Sequence, residues 1–298
     1  MSKDNRALVL VRGGGDLATG VALRLHRVGI KIVITELAQP LAVRRLVSFS
    51  EAVYEGSHTV EGVKARLVEL DQLPAWNDAE GIPVLVDPDA EVLNDLQFLV
   101  VVDARLIKTP PSPLPVPVPL HIGLGPGFHA GRDCHAAIET RRSHTLGRVH
   151  WEGATQPDSG EPEGDPRRVL RAPGDGLLIA KAAIGDHVEE GQVLAVIQQN
   201  VILSRGAAKD LHQETKESSP SSQSDTQVVS PFRGVVRGLI RDGFRVTRGL
   251  KIGDVDSRDD PRACYLVSDK SLAVGGGVLE AILSRAEIRK MIFSAQDS

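Results

Sequence analysis

The sequence predicts an α/β chain in two parts: a parallel-sheet domain over residues 1–150, then a β-rich module over 169–298, with a linker at 151–168. Three observations predict it. Apolar runs of strand length alternate with a helix-period segment in the first half. A glycine-rich turn lies where the first run meets that segment. The second half contains an internal repeat of short, glycine-punctuated strands. With 298 residues there is room for two cores.

The first element runs from Leu8 to Glu36. An apolar run (Ala7 to Val11) enters a triple glycine, a helical segment follows, and a second apolar run ends at Glu36. Leu17, Val21, Leu25 and Val28, with Ala18 and Ala22 beside them, give the helix one apolar face. Gly13, Gly15 and Ala18 fit the G-x-G-x-x-G/A fingerprint in its strand–turn–helix setting, which makes a Rossmann-like nucleotide-binding domain the expectation. Gly13, Gly14, Gly15, Asp16 and Ala18 then cradle a phosphate, and Glu36 takes a ribose hydroxyl. Asp16 serves as a helix N-cap, although a carboxylate facing phosphate would repel it. Arg44 and Arg45 follow the second strand, within reach of an adenosine or a 2′-phosphate. NAD(P) or another dinucleotide is the expected cofactor.

The α/β pattern continues through IPVLVDP (82–88) and FLVVVDARL (98–106), continuous apolar runs suited to strands covered on both faces. Residues 90–96 suit a short connecting helix. Six prolines in the twelve residues from Thr109 to Leu120 exclude a helix there. A second glycine loop follows, with Gly123, Gly125 and Gly127 able to bring backbone amides to an anion. Next comes Cys134 to Trp151. Arg141, Arg142 and Arg148 are candidates for an anionic substrate group, and His144 and Glu139 for acid or base. The histidines fit no compact zinc spacing, so no metal is expected.

Composition narrows the partners. A net charge of −4, with aromatics at 3%, excludes nucleic acid as the main ligand. No run approaches 18 apolar residues, so no membrane partner is expected. Two cysteines 130 residues apart, Cys134 and Cys264, offer no disulfide framework and suit a reducing, cytoplasmic setting. A homo-oligomer is compatible with all of this.

The repeat pairs residues 171–197 with 229–255 at a constant offset of 58, matching Pro173 with Pro231, Gly176 with Gly234 and Gly191 with Gly249. Two such halves resemble the pseudo-symmetric barrel-sandwich fold of biotinyl and lipoyl domains. The carrier lysine of those domains is missing: QQNVILSR stands in its place, so neither biotin nor lipoate is expected. Residues 204–227 have the low-complexity composition of a disordered insertion. Gly275–Gly277 read as a turn that docks a C-terminal helix, which closes the module.

RGGGDLATGVALRLHRVGIKIVITEL, PLAVRRLVSFSEAVYEG, GLGPGFHAGRD, AIETRRSHTLGRV, RAPGDG, PFRGVVRGLIRDG and KIGDVDSR occur in this order along nearly the whole chain. Together they resemble the YqeB-like family, also called selenium-dependent molybdenum hydroxylase system proteins. The N-terminal part is similar to the Rossmann domain of XdhC-type maturation factors. The resemblance implies an accessory or maturation factor whose partner is a selenium-dependent molybdenum hydroxylase of the xanthine dehydrogenase kind. It also makes a molybdopterin-type cofactor a second candidate ligand. Alternatives are an NAD(P)-dependent oxidoreductase acting on a small metabolite, and a non-catalytic scaffold.

Overall fold

The computed structural model describes residues 8–77, 80–160, 164–199 and 225–294. They form two compact units, the first within Met1–Pro166 and Arg262–Ser298, the second within Arg167–Pro261.

In the first unit β1 (Leu8–Arg12) leads into α1 (Asp16–Arg27) and β2 (Lys31–Glu36). After α2 (Ala52–Glu55) come β3 (Ser57–Val60) and β4 (Val63–Leu67), then β5 (Ile82–Val86), α3 (Val92–Asp95) and β6 (Val100–Asp103). The chain continues through β7 (Leu120–Leu124), β8 (His129–Ala130), β9 (Ala136–Ile138), β10 (Val149–His150) and β11 (Gly153–Ala154). Nine of these strands form one sheet in the order β10-β9-β7-β6-β1-β2-β5-β4-β3. β8 and β11 pair separately.

Side chains alternate across this sheet, so each strand feeds two cores. Val9, Val11, Ile34, Val100 and Val102 pack on the side of α1. Leu10, Val33, Leu85 and Val101 face the other way, against Leu73, Leu93 and Phe98. There the half-buried Leu114, Val116 and Val118 of the proline-rich segment do the covering. Proline denies that segment a helix, and an extended strap lays alternate side chains on the sheet instead.

α1 buries almost its whole length because two partners cover it. One is the sheet. The other is α4 (Asp269–Ser284), started by Ser268, whose hydroxyl accepts from the Ser271 amide. The sequence reading puts a turn at Gly275–Gly277, yet these glycines lie inside α4. A Cβ on Gly20 of α1 would stand 2.6 Å from the Ser271 carbonyl oxygen, and one on Gly275 2.7 Å from the Gly20 oxygen. Two helices at this separation need bare backbone at the crossing. Each mid-helix glycine costs about 1 kcal/mol in propensity, which the burial of Val274, Val278, Ala281 and Ile282 offsets. α5 (Ala286–Ser294) follows and buries Ile288 and Ile292.

The second unit contains β12 (Val169–Arg171), β13 (Gly176–Ala180), β14 (His187–Val188) and β15 (Val193–Gln198). From residue 225 onward it adds β16 (Thr226–Val229), β17 (Gly234–Leu239), β18 (Arg245–Val246) and β19 (Lys251–Asp256). Two antiparallel sheets result, β12-β19-β17-β14 and β16-β15-β13-β18. Adding 58 to β13, β14 and β15 lands on β17, β18 and β19. The repeat is therefore a pseudo-two-fold, and each half lends one two-residue strand, β14 or β18, to the sheet of the other.

Three expectations are corrected. The fold class, a Rossmann-like parallel sheet followed by a barrel-sandwich module, gives way to a large mixed sheet and separate antiparallel sheets. Antiparallel pairs β3–β4 and β9–β10 close both edges, and a hairpin, a one-turn helix and a proline strap replace helical crossovers after β2. The C-terminal helix belongs with the first unit, where α1 offers it an apolar face. Thr226 and Gln227 pair with Ile197 and Val196 in β16 and so leave the insertion; residues 204–224 lie outside the described residues.

Candidate functional site

The carboxyl ends of β1, β2, β5 and β6 open onto a crevice of about 290 Å³. Arg12, Gly13, Gly15, Thr35, Glu36 and Ser50 line its polar part, with Asp87 and Arg105 at the sides. Leu37, Pro40, Leu41 and Leu106 form an apolar rim.

The three glycines of the first turn differ in their reasons. Gly13 has φ +97°, which a side chain rarely adopts. A Cβ on Gly14 would stand 2.8 Å from the Ser50 amide nitrogen. Gly15 has ordinary dihedrals, and a Cβ there meets nothing within 4 Å. It caps α1, whose N-terminal amides carry partial positive charge.

Glu36 folds back onto this turn. Its two carboxylate oxygens each accept one backbone amide at 2.7 Å, from Gly14 and from Leu37. Burial raises its pKa, and the two amides oppose that rise. Each oxygen keeps a second lone pair, enough for one hydroxyl of a diol.

Asp16 is turned away from the crevice. Arg44 donates to it at 2.8 Å and the Ser271 hydroxyl at 2.6 Å. This answers the repulsion that its place in the fingerprint threatens. Arg44 is consumed in the same contact, and it also donates to the Ala263 and Leu266 carbonyls. Arg45 sits 3.8 Å from Glu51. Neither arginine lines the crevice. Ala18 lies in the first turn of α1 and is buried.

Sequence reasoning missed the floor. Asp103, fully buried, pairs with Arg12 at 3.3 Å and with Arg105 at 2.9 and 2.6 Å. Burial lowers the Arg12 pKa, while its bond to Asp103 raises that of Arg105. Arg12 also donates to the Pro88 carbonyl. Of the buried polar side-chain atoms without a hydrogen-bond partner among the described residues, two, Arg12 Nε and Ser50 Oγ, belong to residues that line the crevice. The signal was in the strand patterns. LVLVR and VVVD place a charge on the last inward position of an otherwise apolar run, in step with Leu10 and Val101.

The second glycine loop is filled by protein. A Cβ on Gly123 would overlap the Phe128 ring, one on Gly125 would stand 2.9 Å from the Thr140 hydroxyl, and one on Gly127 2.8 Å from the Thr109 carbonyl. Glu139 is buried, and its oxygens accept from the Arg141 and Gln156 amides at 2.7 and 2.8 Å. Arg141, Arg142, His144 and Arg148 are exposed beside α4, and Arg142 is paired with Asp269 there. None of these residues lines the crevice. Cys134 is buried, and burial pushes its thiol up to about 11. Among the described residues no His, Cys, Asp and Glu side chains gather as a metal site, and no helix is long and apolar enough to cross a membrane.

No family model matches the chain. Solved structures similar to it include an aspartoacylase family protein from Mesorhizobium loti, at 12% identity and TM-score 0.27 over 84% of each chain. Another is the product-bound Ectoine utilization protein EutE (DoeB) from Ruegeria pomeroyi, at 15% and 0.27 over 84% of this chain and 85% of that one. A succinylglutamate desuccinylase/aspartoacylase from Rhodobacter sphaeroides reaches 12% and 0.26, again over 84% and 85%. None of the three is named as a Rossmann, XdhC-like, selenium or molybdenum protein. Superpositions this loose carry neither fold nor activity to the chain. The sequence itself is 41% identical over 281 residues, 93% of the chain, to the uncharacterized protein YqeB of Escherichia coli (strain K12). The match takes in 47% of that protein, so the chain spans about half the length of the curated relative it resembles.

Proposed function

We propose that the chain is a YqeB-like accessory protein that binds a nucleotide in the crevice above β1, β2, β5 and β6. One observation carries the reading: Arg12 Nε and Ser50 Oγ, both buried and without a partner among the described residues, line a cavity beside a glycine turn whose third glycine faces open space. A buried polar group left unbonded costs about 1–3 kcal/mol, and a bound ligand with matching groups recovers that cost. Gly15 and the start of α1 suit a phosphate, Glu36 suits a ribose diol, and Leu37, Pro40 and Leu41 give apolar cover.

The carboxylate of Glu36 favours a free 2′-hydroxyl and disfavours a 2′-phosphate. With Arg44 and Arg45 engaged elsewhere, NAD-like ligands are preferred to NADP-like ones. The lining residues include no histidine, which favours binding over oxidoreductase chemistry with His144 and Glu139. The role in maturing a molybdenum hydroxylase rests on the motif resemblance alone, and it is the client-side arm of the test.

Native mass spectrometry of the protein purified from its own host is the experiment. A retained adenine nucleotide supports the reading. A protein that carries no nucleotide and shows no calorimetric response to NAD or AMP defeats it. Loss of hydroxylase activity on gene deletion, restored by the wild-type chain but not by Gly15→Val, would join binding to maturation.

A further inference from the structure

A second cavity of about 230 Å³ lies at the carboxyl ends of β4 and β5 and beside α3. Asp87 lines both it and the crevice. Its remaining walls divide sharply in chemistry. Leu67, Val68, Leu70, Leu85, Val86 and Val92 are apolar, and every ionisable residue is acidic: Glu69, Asp87, Glu91 and Asp95.

No lysine or arginine lines this lobe. Two of its carboxylates already have work, since Glu69 caps the turn at Leu70–Ala75 and Asp87 accepts from the Glu91 and Val92 amides. Glu91 and Asp95 stand four residues apart on one helical face, a like-charge spacing that costs a few tenths of a kcal/mol. Their side chains make no hydrogen bond or ion pair to a described residue. Leu70 and Val86 are 40% and 45% exposed at the mouth.

From the β1 end to the β5 end is two strand spacings, about 10 Å, close to the reach of one nucleotide from phosphate to base. Glu36 on β2 lies between them. Resting on the nucleotide reading above, we infer that the two cavities are one site: phosphate at Gly15, ribose at Glu36, and the base in the acidic lobe, which selects a ring that presents an amino group. A donor there meets Glu91 or Asp95. A ring carbonyl at the same position meets only carboxylates and is rejected.

Calorimetry on the whole chain with AMP, IMP and ribose 5-phosphate tests this. IMP replaces the adenine amino group with a carbonyl. A charge-assisted hydrogen bond is worth about 1.5–3 kcal/mol, so AMP should bind at least about tenfold tighter than IMP. Glu91→Gln combined with Asp95→Asn, both exposed, should shrink that ratio to within about threefold. Leu70→Trp, which fills the lobe from an exposed position, should weaken AMP by about tenfold or more and leave ribose 5-phosphate unchanged. Equal affinities for AMP and IMP, or AMP binding indifferent to Leu70→Trp, would overturn the acidic lobe while leaving the crevice intact. If neither ribose 5-phosphate nor AMP binds the wild type, the crevice reading falls and this inference falls with it.

Discussion

Two glycine-rich loops in one unit end in opposite conditions. At Gly13–Gly15 the chain keeps open space: a side chain at Gly15 would enter the crevice and touch no protein atom within 4 Å. At Gly123–Gly127 the space is taken by Phe128, Thr140 and the backbone of Ile107 and Thr109. Both loops look alike as sequence. A glycine leaves the space of a Cβ free, and whether protein fills that space or leaves it open is decided by residues far along the chain.

The comparison breaks most visibly through two substitutions. Gly15→Val should lower nucleotide affinity by on the order of 100-fold, about 2.7 kcal/mol, because the isopropyl group occupies the ligand's approach. The fold should survive, since the poorer N-cap costs only about 1 kcal/mol; calorimetry and thermal unfolding read the two effects separately. Gly123→Ala should do the reverse. Its methyl overlaps a buried ring, so stability falls by about 1–3 kcal/mol in urea titration, and nucleotide affinity per folded molecule stays unchanged. A Gly123→Ala protein of wild-type stability would show that the second loop has slack and is available to a ligand.

pH separates the two units more gently. His121 is buried between the sheet and Phe128, and burial holds its pKa at about 4 against an ordinary 6.5. The unfolded chain therefore binds a proton in this window that the folded chain refuses. His121 favours folding above pH 6.5, and that contribution is lost as pH falls toward about 4. In the second unit the bond from Arg258 holds Asp256 at about 2 against 3.8, so its contribution persists until pH falls from 3.8 toward 2. Acid unfolding followed by hydrogen exchange should therefore show the first unit loosening at higher pH. The two units opening together in His121→Gln but not in wild type would confirm the source.

The smallest effect is expected at the exposed arginines. Arg141→Ala and Arg148→Ala should change stability by no more than about 0.5 kcal/mol and leave AMP binding untouched. A drop in nucleotide affinity at either position would return the segment to the site.

How much of this could be read from sequence varies with distance along the chain. The strands at Leu8–Arg12, Lys31–Glu36 and Val100–Asp103 follow from apolar runs, and α1 from its spacing, because each pattern is local. The offset of 58 announces the pairing of the second unit, since repetition carries its own long-range information. Of the two antiparallel edges, the β3–β4 hairpin follows from the short apolar pieces around Glu61–Gly62, whereas the β9–β10 pair does not, because β10 is two residues long and has no pattern to read. Gly275–Gly277 read as a turn by local propensity, and only the crossing with Gly20 makes them helical. In the site, Glu36 was legible from spacing. Ser50 was not: it reaches the crevice because its amide bonds the Gly14 carbonyl at 2.9 Å, a contact that no motif encodes.

The placement of α4 has a consequence for how the chain is made. α1 finishes at Arg27, and the helix that covers its outer face begins at Asp269, about 240 residues later. At roughly 5–20 residues per second of synthesis, that face waits tens of seconds on the ribosome with Leu17, Val21 and the Gly20 backbone uncovered. The second unit, contiguous in sequence, emerges whole in the meantime. Its first and last strands pair, Val169 opposite Asp254, so folding of that unit draws the two parts of the first together and shortens the loop that α4 must close to reach α1.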